Sequence, residues 1–296
     1  MTVPPRRYRV RHVTSYTYDE ELEACYNRGL LRPRDTEHQL VLSSQVQVSP
    51  QPELLTEHQD YFGNHSVYLE LRTPTTQLVV AAESVVEVSW PPPDLDGLNR
   101  WTVAEAVAFG AATDPLDLAD FGLPSPMVCI DATVGEYAAT VLRPDARLGE
   151  ALVALNAAIG ADFSYAKGVT SVRTTLAELL ELRQGVCQDF AQLAIGCLRA
   201  VGLPARYVSG YLETTPPPGR EKLRGADATH AWVSVLTPLG WVDLDPTNGQ
   251  FVDSAYIVTA WGRDFSDVSP LRGVVFTEAA NSSLSVEVDV EPIPVP

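Results

Sequence analysis

Apolar and polar residues alternate along residues 7–90, as expected of half-buried β-strands. The alternation comes in several runs, among them Tyr8 to Tyr18, Leu40 to Val48 and Leu78 to Val88. Three consecutive prolines at 91–93 then end the pattern, because proline cannot donate a ladder hydrogen bond and stiffens the backbone. These features predict an antiparallel sheet or sandwich that ends at the prolines.

After the prolines the apolar residues are spaced by three and four, which is typical of amphipathic helices. In the clearest example, residues 148–159 carry leucine and isoleucine on one face, and we expect this helix to end at Gly160. Thr175 and Glu178 match the capping-box pattern, so a further helix should begin there. Gly185 should separate that helix from another one that begins at Cys187.

A period of two returns at Arg206 and predicts three more strands, over 206–212, 230–236 and 241–244. Residues 214–227 are rich in proline, glycine and charge, and we expect an exposed flap beside a cleft there. The alternating residues 284–290 predict a last strand.

We therefore predict an α+β protein with two units. Residues 1–93 would form an antiparallel β domain, and residues 94–296 a helical connector, a core of helices packed on an antiparallel sheet, and the C-terminal strand. With 45% apolar residues among its 296, the chain can bury a core in each unit.

The formal net charge of −17 argues against nucleic acid or an anionic membrane surface as the main partner. No stretch approaches the roughly 20 apolar residues of a membrane span, and the N-terminus does not resemble a signal peptide. We expect a soluble, cytoplasmic protein. Its four cysteines include no CxxC pair, so they do not predict a disulfide framework.

Cys187 is the first candidate for chemistry, because we expect it at the start of a helix. Free cysteine has a pKa of about 8.5 and is only a few per cent thiolate at neutral pH. A helix N-terminus and a nearby imidazole both stabilise the thiolate. A lone cysteine in this position is usually a packed thiol, so a catalytic interpretation depends on finding a base.

His230 and Asp245 supply a candidate base and a residue to orient it. They flank the sequence Thr237-Pro238-Leu239-Gly240, which suits a type I turn. If residue 237 pairs with 240, Asp245 becomes a diagonal neighbour of His230 on the same face of the hairpin. A three-residue loop with a glycine bulge would shift the register by one residue and separate the two side chains.

Several long motifs, in the right order, resemble the core of the bacterial transglutaminase-like superfamily. The motifs are Gly185–Ala191, Leu203–Tyr211, His230–Trp232 and Gly240–Asn248. The β-rich N-terminal region resembles the leading domain of the two-part members, and Gly262–Gly273 resembles their C-terminal segment.

The resemblance implies a papain-like core with a Cys187, His230 and Asp245 triad. It also implies an enzyme that forms a thioester on Cys187 from a peptide or isopeptide bond or a glutamine carboxamide. Hydrolysis of the thioester is favoured, because many bacterial relatives resemble proteases. The alternatives are an amine-accepting cross-linker and a binding or scaffold protein that keeps the fold without turnover.

Further residues of the site are less well marked by their motifs. Tyr165, Gln184 and Gln188 are candidate substrate contacts or oxyanion donors beside the thiol. Trp232 is either a core aromatic of the hairpin or a wall of the cleft. The family pattern has histidine where this chain has Tyr256, and we expect that substitution to affect only a peripheral contact.

We expect a peptide or protein substrate, with no cofactor and no metal. Three ligands of the Cys/His/Asp type without a second cysteine motif do not match a zinc site. Relatives are often encoded beside ATP-grasp-like ligases, so the resemblance also implies a ligase partner in the same pathway.

Overall fold

A computed structural model describes residues 3–112, 115–214 and 228–295 of the chain. The flap predicted over 214–227 lies outside the described residues, apart from Thr214. Within the described residues, no helix is both long and apolar enough to cross a membrane.

Strands occupy both ends and the last third of the chain. In order, they are β1 (Arg6–Gly29), β2 (Gln39–Ser49), β3 (Leu54–Gln59), β4 (His65–Leu71), β5 (Thr75–Val88), β6 (Ser164–Tyr165), β7 (Gln184–Gly185), β8 (Ala205–Leu212), β9 (Ala228–Thr237), β10 (Gly240–Asp245), β11 (Gln250–Phe251), β12 (Tyr256–Gly262), β13 (Leu271–Thr277) and β14 (Ser282–Ile293).

Helices lie mainly between the two strand-rich regions. They are α1 (Leu95–Leu98), α2 (Val103–Gly110), α3 (Pro115–Gly122), α4 (Ala132–Val141), α5 (Leu148–Asp162), α6 (Leu176–Leu182), α7 (Cys187–Ala200) and α8 (Phe265–Val268). Helix α6 has the predicted capping box, in which Thr175 and Glu178 bond reciprocally. Helix α5 continues through Gly160, contrary to our expectation, because a glycine in a helix interior costs only about 1 kcal/mol.

The N-terminal sheet is built around the long strand β1. Strands β2, β5, β1, β4 and β3 lie in this order, and β13 and β14 also pair with β1. The first half of β1 lies between β5 and β14, with Arg7 opposite Ile293, and its second half between β4 and β13. The division at Pro93 stays a prediction. The last strand, which we had expected to accompany the second unit, pairs instead with the N-terminal sheet.

The second sheet forms the core that carries the candidate site. Its strands lie in the order β11, β10, β9, β8 and β12, and helix α7 packs against β8 and β9. Almost every residue of α7 after Gln188 is buried, so this helix lies within the core rather than on its surface. The mixed helix and antiparallel sheet composition confirms the predicted α+β class.

Polar contacts fix the N-terminal sheet against the second one. His12 Nδ1 lies 3.0 Å from the hydroxyl of Tyr211, which itself donates to the carbonyl of Leu31 at 3.1 Å. The side-chain amide of Gln39 donates to the carbonyl of Val258 and accepts the backbone N–H of Val258, at 2.8 Å each. Burial lowers the pKa of His12 to about 4, so the imidazole at this interface is neutral at physiological pH.

Candidate active site

Cys187 is the first residue of helix α7, as predicted. The side chain of Asp189 accepts the backbone N–H of Val186 at 2.8 Å, and Thr170 donates to the same carboxylate at 2.7 Å. Asp189 is only 3% exposed, so these bonds hold the start of the helix in one position. The thiol of Cys187 is partly exposed and therefore accessible to a substrate.

The hairpin of β9 and β10 has the register that brings His230 and Asp245 together. Thr237 pairs with Gly240 and Val233 with Leu244, as the even loop required. Gly240 has a φ of +100°, a conformation that glycine adopts at little cost. As a result, His230 Nε2 lies 2.7 Å from Asp245 Oδ2.

Asp245 is completely buried and accepts five hydrogen bonds. Its Oδ2 receives His230 Nε2, the hydroxyl of Tyr256 and the side-chain amide of Asn248, each at 2.7 Å. Its Oδ1 receives the backbone N–H groups of Thr247 at 2.8 Å and of Asn248 at 3.3 Å. Burial alone would raise the pKa of this carboxyl, but the donors outweigh it and keep the pKa below its usual value.

His230 is hydrogen-bonded to Asp245, and Cys187 lies close enough to influence the pKa of its imidazole. Since Nε2 is occupied by the carboxylate, the remaining ring nitrogen, Nδ1, is the one that serves the thiol. Burial lowers the pKa of the imidazole, but the interactions with Asp245 and Cys187 outweigh burial and raise this pKa to about 9. The ring therefore carries a proton at neutral pH and can stabilise a thiolate as an ion pair.

Tyr256 contacts the site directly, so our expectation of a peripheral role was wrong. Its hydroxyl donates to Asp245 at 2.7 Å and accepts the side-chain amide of Gln250 at 2.9 Å. The ring also lies 5.9 Å from that of His230. The sequence pattern could not show this contact, because it depends on how the 246–255 loop folds back against β12.

Replacing Tyr256 by Phe should reduce kcat/KM by about 10- to 100-fold, since a hydrogen bond to a charged group contributes about 1.5–3 kcal/mol. Tyr256→His, which restores the residue of the family pattern, should retain more activity because imidazole can also donate. We would measure turnover together with the pH profile of Cys187 alkylation. If Tyr256→Phe lowered thermal stability without changing that profile, Tyr256 would be a packing residue only.

The other predicted site residues lie in different environments. Tyr165 is 53% exposed and pairs across β6 and β7 with Gly185, two residues before the thiol. Burial and then the charge of Cys187 raise the pKa of Tyr165, which places its phenol close to the site. Gln184 is exposed and Gln188 is half-buried in the first turn of α7.

Trp232 does not fit its predicted contact with substrate, because its side chain is fully buried. Its indole N–H donates to Asp243 at 2.9 Å, and its ring lies 6.3 Å from that of His230. Alternation along β9 puts residues 230 and 232 on the same face, with Trp232 deeper in the core. Trp232 therefore packs on the core side of His230 and supports the imidazole.

A thiol at the start of a core helix, with an imidazole and a carboxylate on neighbouring strands, is the arrangement expected of a papain-like core. Family comparison agrees: residues 8–87 match the bacterial transglutaminase-like N-terminal region, and residues 135–246 match the transglutaminase-like superfamily. The chain belongs to the transglutaminase-like superfamily.

Individual relatives extend this similarity over the whole chain. An uncharacterized protein of Mycobacterium tuberculosis is 43% identical over 97% of this chain and 93% of its own length. A protein-glutamine gamma-glutamyltransferase of Pseudomonas aeruginosa is 40% identical over 72 residues, 23% of this chain and 11% of its own. The crystal structure of a candidate cysteine protease from Cytophaga hutchinsonii has the same fold, with a TM-score of 0.81 at 20% identity, covering 100% of this chain and 93% of that one.

Proposed function

We propose that this protein is a cysteine-nucleophile enzyme that cleaves or transfers amide acyl groups through a thioester on Cys187. The observation that carries the proposal is the continuous chain of contacts from Cys187 through His230 to the buried carboxylate of Asp245. A scaffold protein would have no need for a buried carboxylate that accepts five hydrogen bonds beneath a partly exposed thiol.

The first half of the reaction acylates Cys187. The thiolate, paired with protonated His230, adds to the carbonyl carbon of a peptide, isopeptide or glutamine amide. As the tetrahedral intermediate collapses, the C–N bond breaks and His230 gives its proton from Nδ1 to the leaving amine. Asp245 holds the imidazole in the required orientation and stabilises its positive charge before that transfer.

The second half releases the acyl group. His230, now neutral, takes a proton from water or from a second amine, which attacks the thioester carbon. The C–S bond then breaks and restores the thiolate and imidazolium pair. Hydrolysis is the favoured outcome, because Cys187 is partly exposed and Tyr165 is exposed, so water competes with any amine acceptor.

The oxyanion of each intermediate requires donors close to the thiol. The backbone N–H of Cys187 is one, since the first N–H groups of a helix have no acceptor within it. The side chain of Gln188 lies in the same helical turn, and that of Tyr165 on the adjacent strand β6. We assign the side-chain donor to these two positions or to Gln184.

Mass spectrometry of peptide mixtures incubated with the protein tests this function. We expect new cleavage products in its presence, and a loss of at least about a thousandfold in their rate for Cys187→Ala. Methylamine in a parallel incubation distinguishes transfer from hydrolysis, because incorporation of the amine would show acyl transfer. Cys25→Ala, which removes a buried thiol from the N-terminal sheet, is the matched control and should keep full activity. Products that persist in Cys187→Ala would contradict the proposal.

A further inference from the structure

The C-terminal motif Gly262–Gly273 lines a cavity that the proposed mechanism does not use. The cavity has a volume of about 550 Å³ and lies between helix α8 with the following loop and the segment of residues 172–176. Its apolar lining includes Val172, Leu176 and Phe265. A cavity of this size admits a few residues of a bound peptide.

Two arginines give this cavity a charge opposite to that of the whole protein. Arg173 and Arg272 both line it, and no Asp or Glu does so among the described residues. Arg272 donates to a neutral acceptor, the carbonyl of Ser266, at 2.8 Å. Arg173 forms no ion pair with any described residue. Neither guanidinium has a carboxylate partner among the described residues, although Arg173 also borders an adjoining pocket that Glu178 and Glu181 line. Within a chain with a net charge of −17, the two groups make the cavity itself a local positive site.

Arg263, in the same motif, differs from the two cavity arginines because it has a carboxylate partner. Its guanidinium bonds both oxygens of Asp267, at 2.9 and 3.0 Å, so its charge is compensated within the protein. The two arginines of the cavity remain available to an external anion. Guanidinium is well suited to that role, because its planar fork matches a carboxylate.

Two sets of contacts lead from the lining of the cavity towards Cys187. On one side, Thr170 bonds Asp189 in the first turn of α7, and the chain from Thr170 continues directly into the cavity lining. On the other side, the ring of Phe265 lies 6.1 Å from that of Tyr207. Tyr207 is buried in β8, one of the strands against which helix α7 packs, and burial and then the charge of Cys187 raise its pKa.

The length of helix α7 gives a scale for the separation between the cavity and the thiol. Leu176 lies against Gly196 of helix α7, which is nine residues after Cys187 and therefore about 14 Å along the helix. An extended chain covers that distance with about four residues at roughly 3.3–3.6 Å each.

We propose that this cavity is an anion-binding subsite, in which Arg173 and Arg272 hold a carboxylate of the peptide substrate within about four residues of the amide under attack. The inference rests on the proposed function. The subsite would make the proposed enzyme selective for acidic peptides. The carboxylate belongs either to an Asp or Glu side chain or to the C-terminus of the peptide.

Binding to Cys187→Ala tests the subsite without requiring turnover, so its failure is distinct from a failure of the proposed function. Three fluorescein-labelled Gly/Ser peptides would be compared by anisotropy: one with an internal Glu and an amidated C-terminus, one with Gln and an amide, and one with Gln and a free carboxylate. We expect one or both carboxylate peptides to bind about tenfold more tightly than the neutral peptide. Equal affinity for all three peptides would overturn the proposal.

Arginine variants identify the residues responsible. Arg173→Gln and Arg272→Gln should each reduce the preference for the carboxylate peptide severalfold, and Arg173→Gln cannot disturb an internal ion pair because it has none among the described residues. Arg143→Gln removes another exposed charge, one that is paired with Asp145, and the preference should survive it. A preference that survives both cavity variants would contradict the assignment.

The reactive thiol of the unmodified protein tests where the subsite lies. Iodoacetylated peptides with Glu or Gln after spacers of increasing length would be used to alkylate Cys187. We expect the Glu peptide to react faster at a spacing of about four residues, and Arg173→Gln to remove the difference. Equal rates at every spacing would show that the cavity does not serve Cys187.

Discussion

Replacing Asp245 by Asn should reduce turnover by about 10²- to 10⁴-fold, by analogy with the effect of this substitution on other triads. In the unmodified protein three donors converge on Oδ2 of Asp245, and two backbone N–H groups bond Oδ1. An asparagine that keeps its oxygen towards the backbone groups presents its NH₂ to His230. The ring must then accept on Nε2 and carry its proton on Nδ1, the nitrogen that should receive a proton from the thiol.

The pH dependence of Cys187 alkylation by iodoacetamide would show this change directly. With its pKa raised to about 9, His230 stays protonated as pH rises from 6.5 to about 9, so the unmodified protein should react rapidly throughout that range. Asp245→Asn should react slowly at pH 6.5 and approach the unmodified rate only at high pH, where solvent deprotonates the thiol.

Asp243→Asn is the matched control for the Asp245 substitution. Asp243 is also buried in β10, but it bonds the indole of Trp232 rather than the imidazole. Its substitution makes the same change in charge on the same strand, and the alkylation profile should keep its shape. Equal profiles for Asp245→Asn and the unmodified protein would mean that the carboxylate does not support His230.

Replacing Gly210 by Ala should destabilise the protein by about 3 kcal/mol or more, the upper end of the cost of overpacking. Gly210 is buried in β8, opposite His230 on β9 and Val258 on β12. A β-carbon there would lie 2.1 Å from the carbonyl oxygen of Ile257 and 2.5 Å from the ring of Trp232. Backbone cannot move aside as a flexible side chain can, so the sheet itself would have to shift.

Chemical denaturation monitored by tryptophan fluorescence would measure this loss. Gly160→Ala is the control, because Gly160 is exposed in helix α5 with open space at its β-carbon position. That variant should gain about 0.5–1 kcal/mol from helix propensity. If Gly210→Ala were as stable as the unmodified protein, the close approach of Trp232 to β8 would be incorrect.

Local signals in the sequence were sufficient for the elements that carry the thiol, the imidazole and the carboxylate. The turn at 237–240 determines the register of β9 and β10, because a hairpin register depends on turn type and loop length. The capping box begins helix α6, which ends at Leu182 with Arg183 in the left-handed conformation, close to the break predicted at Gly185. Each of these features depends on residues close together in the chain.

Contacts between distant segments were the ones that sequence patterns could not predict. The guanidinium of Arg206 packs on the rings of Trp241 and Trp261, at 4.1 and 3.8 Å from their centroids. Tyr256 reaches Asp245 only because β12 lies beside β8 across the sheet. Periodicity identifies which face of an element is buried, but not which distant side chain covers it.

The pairing of β14 with the first half of β1 has a consequence for how the protein is made. Ribosomes synthesise chains from the N-terminus, so β1 (Arg6–Gly29) leaves the exit tunnel long before β14 (Ser282–Ile293), its partner over residues 7–18. Until then one edge of β1 stays open, and such an edge can pair with other chains. The residues that carry the candidate active site are all made before that edge can close, so closing the N-terminal sheet is a late step of folding during translation.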